Sequence, residues 1–506
     1  MIAAVASAAF AAGLGAATPL IQPADLLDHI KFLASDELKG RASGTLELER
    51  AAEYIAAQFK AAGLQPGAGG DGWFQPFELE AGVTIGRGNS LVVKNGSTSV
   101  PFTLNASYYP LAAPANDAPS EASTTLHAVP LVFAGYGISA LGLRYDDYTD
   151  LDVRGKAVLV FSHEPQERSR TSRLNGDQPI PETSLFAKAT AARSRGAVAL
   201  LVVSDPVHPV DQANYASFGV APDVDDLGIP VLRVRREDMR PLLAAWDLDR
   251  VAHEIDGDLR PRSRALPGAT IDYSEFLTKN RRTVRNVVGV LPAPGPLGHE
   301  AIVIGAHYDH VGLGGRYSAV PNRTAEIHNG ADDNASGTAS IIEIARAAAA
   351  DPSRFPRTLV FVAFAGEELG LLGSTYYTSH PVVPIDDTVT MLNLDMVGRL
   401  RKSVDVSGLG AAPSLLSDLN AAARAVGNIP IRQQGAGAGR SDDFSFLRAR
   451  VPAITFFTGF HRDYHSPSDD WQSINADGAA RVAQLALELA ARVAARPERP
   501  VRPQPR

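Results

Sequence analysis

The chain has 506 residues, 45% of them hydrophobic, which is enough for two or three domains with large cores. Its 48 basic and 56 acidic residues give a net charge of −8, so it offers no basic field for nucleic acid. The sequence has no cysteine, which excludes disulfide bonds, thiol catalysis, a lipid anchor on cysteine and zinc held by thiolates. Any metal site must therefore use histidine and carboxylate.

The amino-terminal stretch has features of an export signal. Residues 1–18 are small and apolar and end in a sequence that suits signal-peptidase cleavage, although a basic n-region is missing. We expect a signal peptide and an exported, periplasmic or secreted protein; the alternatives are an ordinary apolar helix start and a misassigned start codon. No later stretch reaches about 18 uninterrupted apolar residues, so no transmembrane anchor is predicted.

The first folded elements are predicted to be two amphipathic helices and a strand. Apolar residues recur at helical spacing over 23–36 and 45–63, and Gly63 followed by Pro66 ends the second helix. Residues 73–80 are typical of a strand. We assign residues 19–84 to the same domain as the carboxy-terminal half of the chain.

A different pattern begins near residue 85. Short strands alternate with turns rich in Gly, Asn, Ser and Pro, and they are followed by a strand at 156–162, a helix at 186–195 and a strand at 197–203. This block contains none of the metal-ligand motifs described below. We interpret residues 85–278 as an inserted, β-rich α+β domain.

From residue 279 to residue 497 apolar strands alternate with helices. This alternation predicts an α/β domain with a mostly parallel, mixed sheet flanked by helices on both faces. The predicted strands are 286–291, 301–307, 358–365, 389–397 and 451–457, and the predicted helices are 340–350, 369–380, 413–427 and 477–495. Residues 498–506 are rich in Pro and Arg and are predicted to be a disordered tail.

Ligand-type side chains follow the strands of this carboxy-terminal domain. His307 and Asp395 each lie at the end of an apolar strand, and Glu368 comes just after another. Asp332 lies in a Gly/Asn-rich turn before a helix, and His465 lies in a loop with a proline. In open α/β sheets ligands bind at the carboxyl ends of the strands, so we expect these five side chains at one edge of the sheet.

Two histidines and three carboxylates suit two zinc ions that share one carboxylate. We assign His307 and Asp395 to one ion, Glu368 and His465 to the other, and Asp332 to both. This arrangement leaves open positions for water and substrate, as a catalytic site requires.

Three further side chains are predicted to assist. Glu367 is placed to act as a general base that takes a proton from water and passes it to a leaving amine. Asp309 is expected to accept the second ring N–H of His307. Tyr464 is expected to donate to a developing oxyanion.

Each motif taken alone has a less specific interpretation. Asp332 suits a turn or a helix cap, and Glu367 with Glu368 suits a solvated helix start. Two neighbouring histidines are less favoured: the strand end favours His307 over His310, and His461 is expected to be a bystander or a residue of the rim. The five motifs together at strand ends are what indicates a metal centre.

At these residues the sequence resembles peptidase family M28, of the bacterial zinc aminopeptidase type. The resemblance covers about 280–495 and extends to the amino-terminal helices through FLASDELKGRASGT (32–45). It implies the same five ligands, Glu367 as the base, Tyr464 as the oxyanion tyrosine, and Arg440 as a contact to the substrate backbone. It also implies a cis peptide bond at Asp332–Asp333. The motifs are GAHYDH, GADDNASG, AGEELG, NLDMVG, DYHSP and GRSDDFSF.

The inserted block resembles a protease-associated (PA) domain, through VFAGYGI, YDDYTDLDVRGKAVLVF and AKATAARSRGAVALLVV. Such domains restrict access to a cleft or bind partners. One departure from the M28 pattern is Asp443, where the family often has His or Tyr; it either favours a substrate amino group or lies in solvent.

The leading hypothesis is a zinc-dependent aminopeptidase that acts on peptides with a free amino terminus. The alternatives of similar fold are a glutaminyl cyclase, which uses one zinc, and a carboxypeptidase. A remote alternative is a non-catalytic, receptor-like binding protein that keeps the fold without the chemistry.

Overall fold

A computed structural model describes residues 21–501 except 70–71, 113, 116, 118–120, 175–179, 209–226, 315–316, 321–324 and 435–440. The predicted signal peptide at 1–18, the end of the predicted tail and Arg440 therefore lie outside the described residues. The chain divides into two compact units, one formed by Met1–Leu79 with Thr283–Arg506 and the other by Glu80–Arg282. We call them the two-segment unit and the inserted unit; the sequence-based boundaries for the insert were 85 and 278.

The amino-terminal segment begins the two-segment unit. It contains α1 (Pro23–Leu33), α2 (Leu46–Ala61), β1 (Gln65–Pro66) and the first part of β2 (Phe74–Ile85), which crosses the unit boundary after Leu79. The side chain of Thr45 accepts a hydrogen bond from Leu48 N and caps α2, as expected for threonine at a helix start. Both predicted helices are present, and both end before their predicted limits.

The inserted unit is built on one mixed sheet. Its strands are β3 (Ser90–Asn95), β4 (Thr98–Phe102), β5 (Tyr108–Ala112), β6 (Thr124–Phe133), β7 (Ser139–Ala140), β8 (Tyr145–Asp146), β9 (Ala157–Phe161), β10 (Ala199–Val203), β11 (Val231–Val234) and β12 (Arg264–Glu275). Its helices are α3 (Leu185–Ser194), α4 (Arg236–Ala245) and α5 (Leu248–Asp258). The main sheet has the order β4-β3-β12-β6-β9-β10-β11-β5, in which β6, β9, β10 and β11 run parallel.

The rest of the two-segment unit alternates strands and helices. The strands are β13 (Leu277–Leu291), β14 (Ala301–His307), β15 (Thr358–Phe364), β16 (Thr388–Leu394), β17 (Val404–Ser407), β18 (Ile431–Gln433) and β19 (Ala453–Phe457). The helices are α6 (Gly337–Ala350), α7 (Leu372–Ser379), α8 (Leu416–Ala425), α9 (Asp443–Arg448) and α10 (Ala476–Ala494). A short π-type segment, Ala331–Ser336, leads into α6.

In the described residues these strands form one mixed sheet of order β1-β13-β15-β14-β16-β19-β17-β18, with β2 paired to β13. Its centre, β15-β14-β16-β19, is parallel, and every residue of β14, β15 and β16 is buried. Strands buried on both faces explain the continuous apolar runs in the sequence. The predicted α/β fold with a mixed, helix-covered sheet is confirmed.

The register of the central strands places the ends of three strands side by side. His307 pairs with Phe364, and Gly305 pairs with Asn393. The loops that follow β14, β15 and β16 therefore leave the same edge of the sheet. None of the helices in the described ranges combines the length and the apolar character that a membrane-spanning segment requires.

Candidate metal centre

Two groups of ligand-type side chains lie at this sheet edge, and they have one residue in common. The first cluster is His307, Asp333 and Asp395; the second cluster is His310, Asp333, Glu368 and His465. Within each cluster the ligand atoms lie within 4.8 Å of one another. Asp333 belongs to both, so its carboxylate is placed to bridge two ions.

The first cluster is organised around His307, which ends β14. Its Nε2 lies 3.4 Å from Asp333 Oδ1 and 3.5 Å from Asp395 Oδ1. Its Nδ1 lies 3.2 Å from the main-chain carbonyl oxygen of Asp309, which fixes the ring and leaves Nε2 for a metal. The carboxylate of Asp309 was predicted to accept a hydrogen bond from this ring, but its Oδ1 lies 3.8 Å from Nδ1 of His307. Asp309 Oδ1 accepts a hydrogen bond from the main-chain N–H of Glu367 instead.

The second cluster is organised around His465, in the loop after β19. Its Nε2 lies 3.1 Å from Asp333 Oδ2 and 3.1 Å from Glu368 Oε2. Its Nδ1 lies 2.7 Å from the carbonyl oxygen of Tyr317, and a hydrogen bond there directs Nε2 into the cluster. His310 Nδ1 lies 2.7 Å from the other oxygen of Glu368, Oε1.

The residues present fit divalent cations. Oδ1 of Asp395 is buried without a hydrogen-bond partner, which is costly unless a cation takes its lone pairs, and Nε2 of His465 lies against two carboxylate oxygens. Burial alone would lower the pKa of His465, but the carboxylates of Asp333 and Glu368 outweigh it and raise the pKa to about 10. Histidine nitrogens and carboxylate oxygens are the donor set expected for zinc in a cysteine-free chain.

The structure corrects the prediction for Asp332. Its Oδ1 accepts hydrogen bonds from Gly398 N at 2.6 Å and from Ser336 Oγ at 3.0 Å, and its Oδ2 lies 3.1 Å from His461 Nε2. These contacts occupy both oxygens, and Asp332 belongs to neither cluster. Its neighbour Asp333 lies between the two histidine-centred groups instead.

The cis peptide bond is shifted by the same one residue. It joins Asp333 and Asn334, whereas the resemblance implied Asp332–Asp333. The resemblance implied a cis bond directly after the aspartate shared by the two ions. In the structure the cis bond directly follows Asp333, which is the aspartate shared by the two clusters.

Two histidines that sequence reasoning set aside lie close to the centre. His310 is buried and belongs to the second cluster. His461 was placed at the rim, but it is buried and pairs with Asp332. The feature of the sequence that points to His310 is its position three residues after His307. The rule that ligands lie at strand ends selects His307 and does not select His310.

Two residues that the sequence did not single out hold the backbone of Asp332 and Asp333 in place. Asp469 Oδ2 accepts hydrogen bonds from the main-chain N–H groups of Asp332 at 3.0 Å and Asp333 at 3.1 Å. Arg399 donates to Asp469 Oδ1 at 2.6 Å and to Asp463 Oδ2 at 2.6 Å. Arg399 therefore ties the loop after β16 to the loop that carries His465.

Glu367 and Tyr464 lie beside the two clusters. Glu367 Oε2 is 3.9 Å from His307 Nε2; burial and the charge of Glu368 raise the pKa of Glu367 well above its usual range, although His307 opposes the shift. Tyr464 stacks on His465 with ring centroids 4.0 Å apart. Burial and nearby carboxylates, including Asp333, raise the pKa of Tyr464, so its hydroxyl keeps its proton and can donate.

Two adjacent acids from the GRSDD motif complete the surroundings. Asp442 is buried, and burial raises its pKa to about 7 despite the opposing charge of His307. Asp443 is also buried, so the interpretation that it lies in solvent is wrong. Burial raises the pKa of Asp443 to about 6, with Asp395 adding to the shift.

Comparison with known proteins agrees with this arrangement. Residues 286–490 match the family model of peptidase family M28, and residues 127–242 match that of the PA domain. The chain is 25% identical over 358 residues to aminopeptidase YwaD of Bacillus subtilis (strain 168), an alignment covering 68% of this chain and 64% of that relative. The chain thus spans slightly less than two thirds of this relative's length.

Solved structures show the same fold over nearly the whole chain. An aminopeptidase from Aneurinibacillus sp. strain AM-1 superposes with a TM-score of 0.55 at 22% identity, covering 96% of each chain. The Bacillus subtilis zinc aminopeptidase BSAP gives a TM-score of 0.53 at 20% identity, covering 93% of this chain and 94% of that one.

Both histidine–carboxylate clusters lie within the residues that match the M28 model. The segment 286–490 is therefore a peptidase family M28 domain, and the segment 127–242 is a PA domain.

Proposed function

We propose that this protein is a zinc-dependent aminopeptidase that removes amino-terminal residues from peptides. The observation that carries the proposal is the position of Asp333 between two clusters, with Glu367 beside them. Two bridged cations next to a carboxylate base suit the hydrolysis of an amide bond. The names of the relatives, aminopeptidase YwaD and a zinc aminopeptidase, support the same activity.

We assign two zinc ions to the centre. The first would be held by His307, Asp333 and Asp395, and the second by Asp333, Glu368 and His465, with His310 against Glu368. Zinc bound there supplies Lewis acidity toward water and toward the scissile carbonyl group.

Glu367 is proposed as the general base. It follows β15, and its main-chain N–H is held by Asp309 Oδ1 at 3.1 Å, which orients the start of the loop. The carboxylate accepts a proton from the attacking water and delivers it to the nitrogen of the leaving peptide. Tyr464, whose phenol keeps its proton, donates a hydrogen bond to the developing oxyanion.

The acidic surroundings favour a substrate with a free amine. Besides the clusters, Glu367, Asp442 and Asp443 place carboxyl groups close to the centre. The raised pKa values of these groups reflect burial together with crowded negative charge, and that negative charge attracts a protonated amino terminus and repels the carboxylate end of a peptide. Arg440 is proposed to contact the substrate backbone, as the family resemblance implies.

The alternatives fit the site less well. A glutaminyl cyclase uses one zinc, but here a second complete donor set is present. A carboxypeptidase would need a cationic pocket for the terminal carboxylate next to an acidic centre. A receptor-like relative without activity would have no reason to retain both clusters and Glu367.

Export of the protein and a role of the inserted PA domain in restricting access to substrate remain parts of this proposal. Both follow from the sequence patterns at 1–18 and 127–242. Mass spectrometry of the mature amino terminus after expression in a bacterial host tests the first; an intact residue 1 would contradict cleavage.

The test of the activity is release of free amino acid from one peptide, supplied with a free or an acetylated amino terminus, before and after chelation. Cleavage of the free form alone, abolished by chelation and restored by zinc, is the expected result. Cleavage of both forms would favour a carboxypeptidase or endopeptidase instead. Metal analysis of the same sample should give two zinc ions per chain, and a single ion with pyroglutamate formation would indicate a cyclase.

A further inference from the structure

A turn near the amino terminus lies directly against the loops of the metal centre. This turn, Lys39–Ser43, which we call the 39–43 turn, runs beside the chain that follows β14. Ala42 forms an isolated parallel bridge with His310, and Gly312 N donates to the carbonyl of Gly40 at 3.1 Å. The amino-terminal segment thus touches a cluster residue although it lies more than 260 positions away in the sequence.

The backbone of the turn leaves no room for a larger residue at Gly40. Gly40 has φ +70°, and a Cβ there would lie 2.3 Å from the carbonyl oxygen of His328 and 2.6 Å from that of Gly312. Arg41 itself has φ 37°, which is uncommon for a residue with a side chain. This tight turn places the side chain of Arg41 against the backbone of Tyr308 and of residues 329–333, which lies beside the clusters.

Arg41 is fully buried, and its guanidinium donates to five main-chain carbonyl groups. Its Nε donates to Tyr308 O at 2.8 Å; Nη1 donates to Leu33 O at 3.0 Å and to Asn329 O; Nη2 donates to Gly330 O at 2.7 Å and to Asp333 O at 3.2 Å. These contacts use all five N–H groups of the side chain.

The accepting carbonyls are grouped around the ligands. Three belong to residues 329–333, the stretch that ends with the bridging Asp333, and one belongs to Tyr308, the neighbour of His307. One rigid, planar group therefore sets the distance between the backbone of the first histidine ligand and that of the shared carboxylate. A lysine ammonium has only three donors and cannot reach this set of acceptors.

Arg41 also provides positive charge beneath an acidic centre. Burial lowers its pKa to about 10, while the charges of Asp333, Asp309 and Asp469 oppose that shift. The guanidinium therefore stays protonated at neutral pH. A buried cation at this place offsets part of the repulsion between the carboxylates of the clusters.

The same turn supports Asp309. Ser43 Oγ donates to Asp309 Oδ2 at 2.9 Å, and Asp309 Oδ1 accepts from Glu367 N at 3.1 Å. The turn is thus connected through one carboxylate to the residue assigned as the base.

We propose that the 39–43 turn is a structural support of the metal centre, and that Arg41 is the positioning residue that sets the Asp333 carboxylate for both ions. The inference rests on the proposed metal centre and goes beyond it by assigning metal affinity to a residue of the amino-terminal segment. The five hydrogen bonds of Arg41 go to main-chain carbonyl groups, so it acts through the backbone, including that of Asp333.

The chain offers a matched control in Arg357. This arginine is also fully buried in the two-segment unit, donates to the carbonyl groups of Val493 and Ala494, and pairs with Glu300. None of its contacts involves a cluster residue. Arg357→Lys therefore measures the stability that is lost when a buried arginine is replaced. Arg41→Lys measures the same loss of stability together with any change in zinc affinity.

The experiment measures zinc affinity of the full-length protein by competition with a chromophoric chelator, alongside the melting temperature of each zinc-free protein. We expect Arg41→Lys to weaken zinc binding by about 10- to 100-fold, the range for residues that orient metal ligands. Arg357→Lys should lower the melting temperature but leave zinc affinity within about twofold, because its partners are remote from the ligands.

Wild-type zinc affinity in a folded Arg41→Lys protein would overturn the proposal, and so would equal losses of affinity in both variants. If Arg41→Lys does not fold, Ser43→Ala serves as the second variant. We expect it to lower kcat with KM little changed, because it frees Asp309 and so the loop of Glu367; an unchanged kcat would overturn the role of the turn. The zinc measurement needs no peptide, so a wild-type protein that binds zinc but cleaves nothing contradicts the proposed activity alone.

Discussion

Asp332 and Asp333 are neighbours in the sequence, but their carboxylates face different parts of the structure. Asp332 Oδ2 lies 3.1 Å from Nε2 of His461, outside both clusters, whereas Asp333 Oδ2 lies 3.1 Å from Nε2 of His465, inside the second cluster. One aspartate thus supports the loop around the clusters, and the other lies between the two clusters.

This relationship predicts different outcomes for the two asparagine variants. Asp333→Asn should lose most zinc from both positions and lower kcat/KM by at least about 10³-fold, because the shared charge is removed. Asp332→Asn keeps an oxygen for Gly398 N and should retain zinc, with a loss of about tenfold or less. Metal analysis with peptide kinetics checks this; the reverse order would restore Asp332 as the bridge.

Replacing Glu367 should separate catalysis from metal binding. Glu367→Gln keeps size and the main-chain contact to Asp309 but cannot accept a proton, so kcat should fall by about 10²- to 10⁴-fold. Zinc content should stay at the wild-type level. Glu368→Gln is the matched control, since it should lose zinc; a Glu367→Gln protein with full turnover would exclude this residue as the base.

His310 is predicted to strengthen the second zinc position. Its Nδ1 lies 2.7 Å from Glu368 Oε1, which leaves Oε2 for the ion near His465. His310→Ala should lower the affinity for one of the two zinc ions by about 10- to 100-fold and leave the affinity for the other unchanged. Stepwise zinc titration measures both affinities, with the exposed His299→Ala as control; two unchanged affinities would contradict the role.

The inserted unit should show a pH dependence that arises from Glu275. Glu275 ends β12, and burial raises its pKa to about 8 from 4.5. Between these values the folded protein keeps a proton that the unfolded chain has lost, so the free energy of unfolding decreases as the pH rises. Glu275→Gln should remove this decrease, gaining on the order of a few kcal/mol at pH 8 relative to pH 5.

Calorimetry of the wild type, Glu275→Gln and the exposed control Glu182→Gln from pH 5 to pH 8 measures this effect. The control should follow the wild type at each pH. Parallel curves for the wild type and Glu275→Gln would show that Glu275 does not titrate as its burial implies.

Zinc should stabilise the folded protein. Asp333 has a ligand atom within 4.8 Å of one of Asp395 in the first cluster and of one of Glu368 in the second, and cations held between these carboxylates bind the folded state only. Chelation should lower the melting temperature by several degrees, and added zinc should restore it. A melting temperature independent of chelator would argue against a centre formed by these residues.

Much of the two-segment unit could be predicted because its strands are buried on both faces. Apolar runs such as 301–307 and 358–365 are distinctive in sequence, and α/β topology places whatever follows them at one edge. His307 and Glu368 lie at that edge, one in each cluster, and their roles as ligands stay predictions. Helices α4, α5 and α9 were not anticipated, since α9 has only six residues, Pro241 lies inside α4 and Gly257 lies inside α5.

The sequence by itself determined the fold class, the donor chemistry and the strand ends at which the donors lie, because these depend on residue type and on burial pattern along the chain. Only the tertiary structure decided between Asp332 and Asp333, brought His310 into a cluster, and placed Arg41 beneath it. The direction of a side chain in a loop depends on contacts made far away, here with Gly398, His461 and Asp469. No local pattern in a sequence records such contacts.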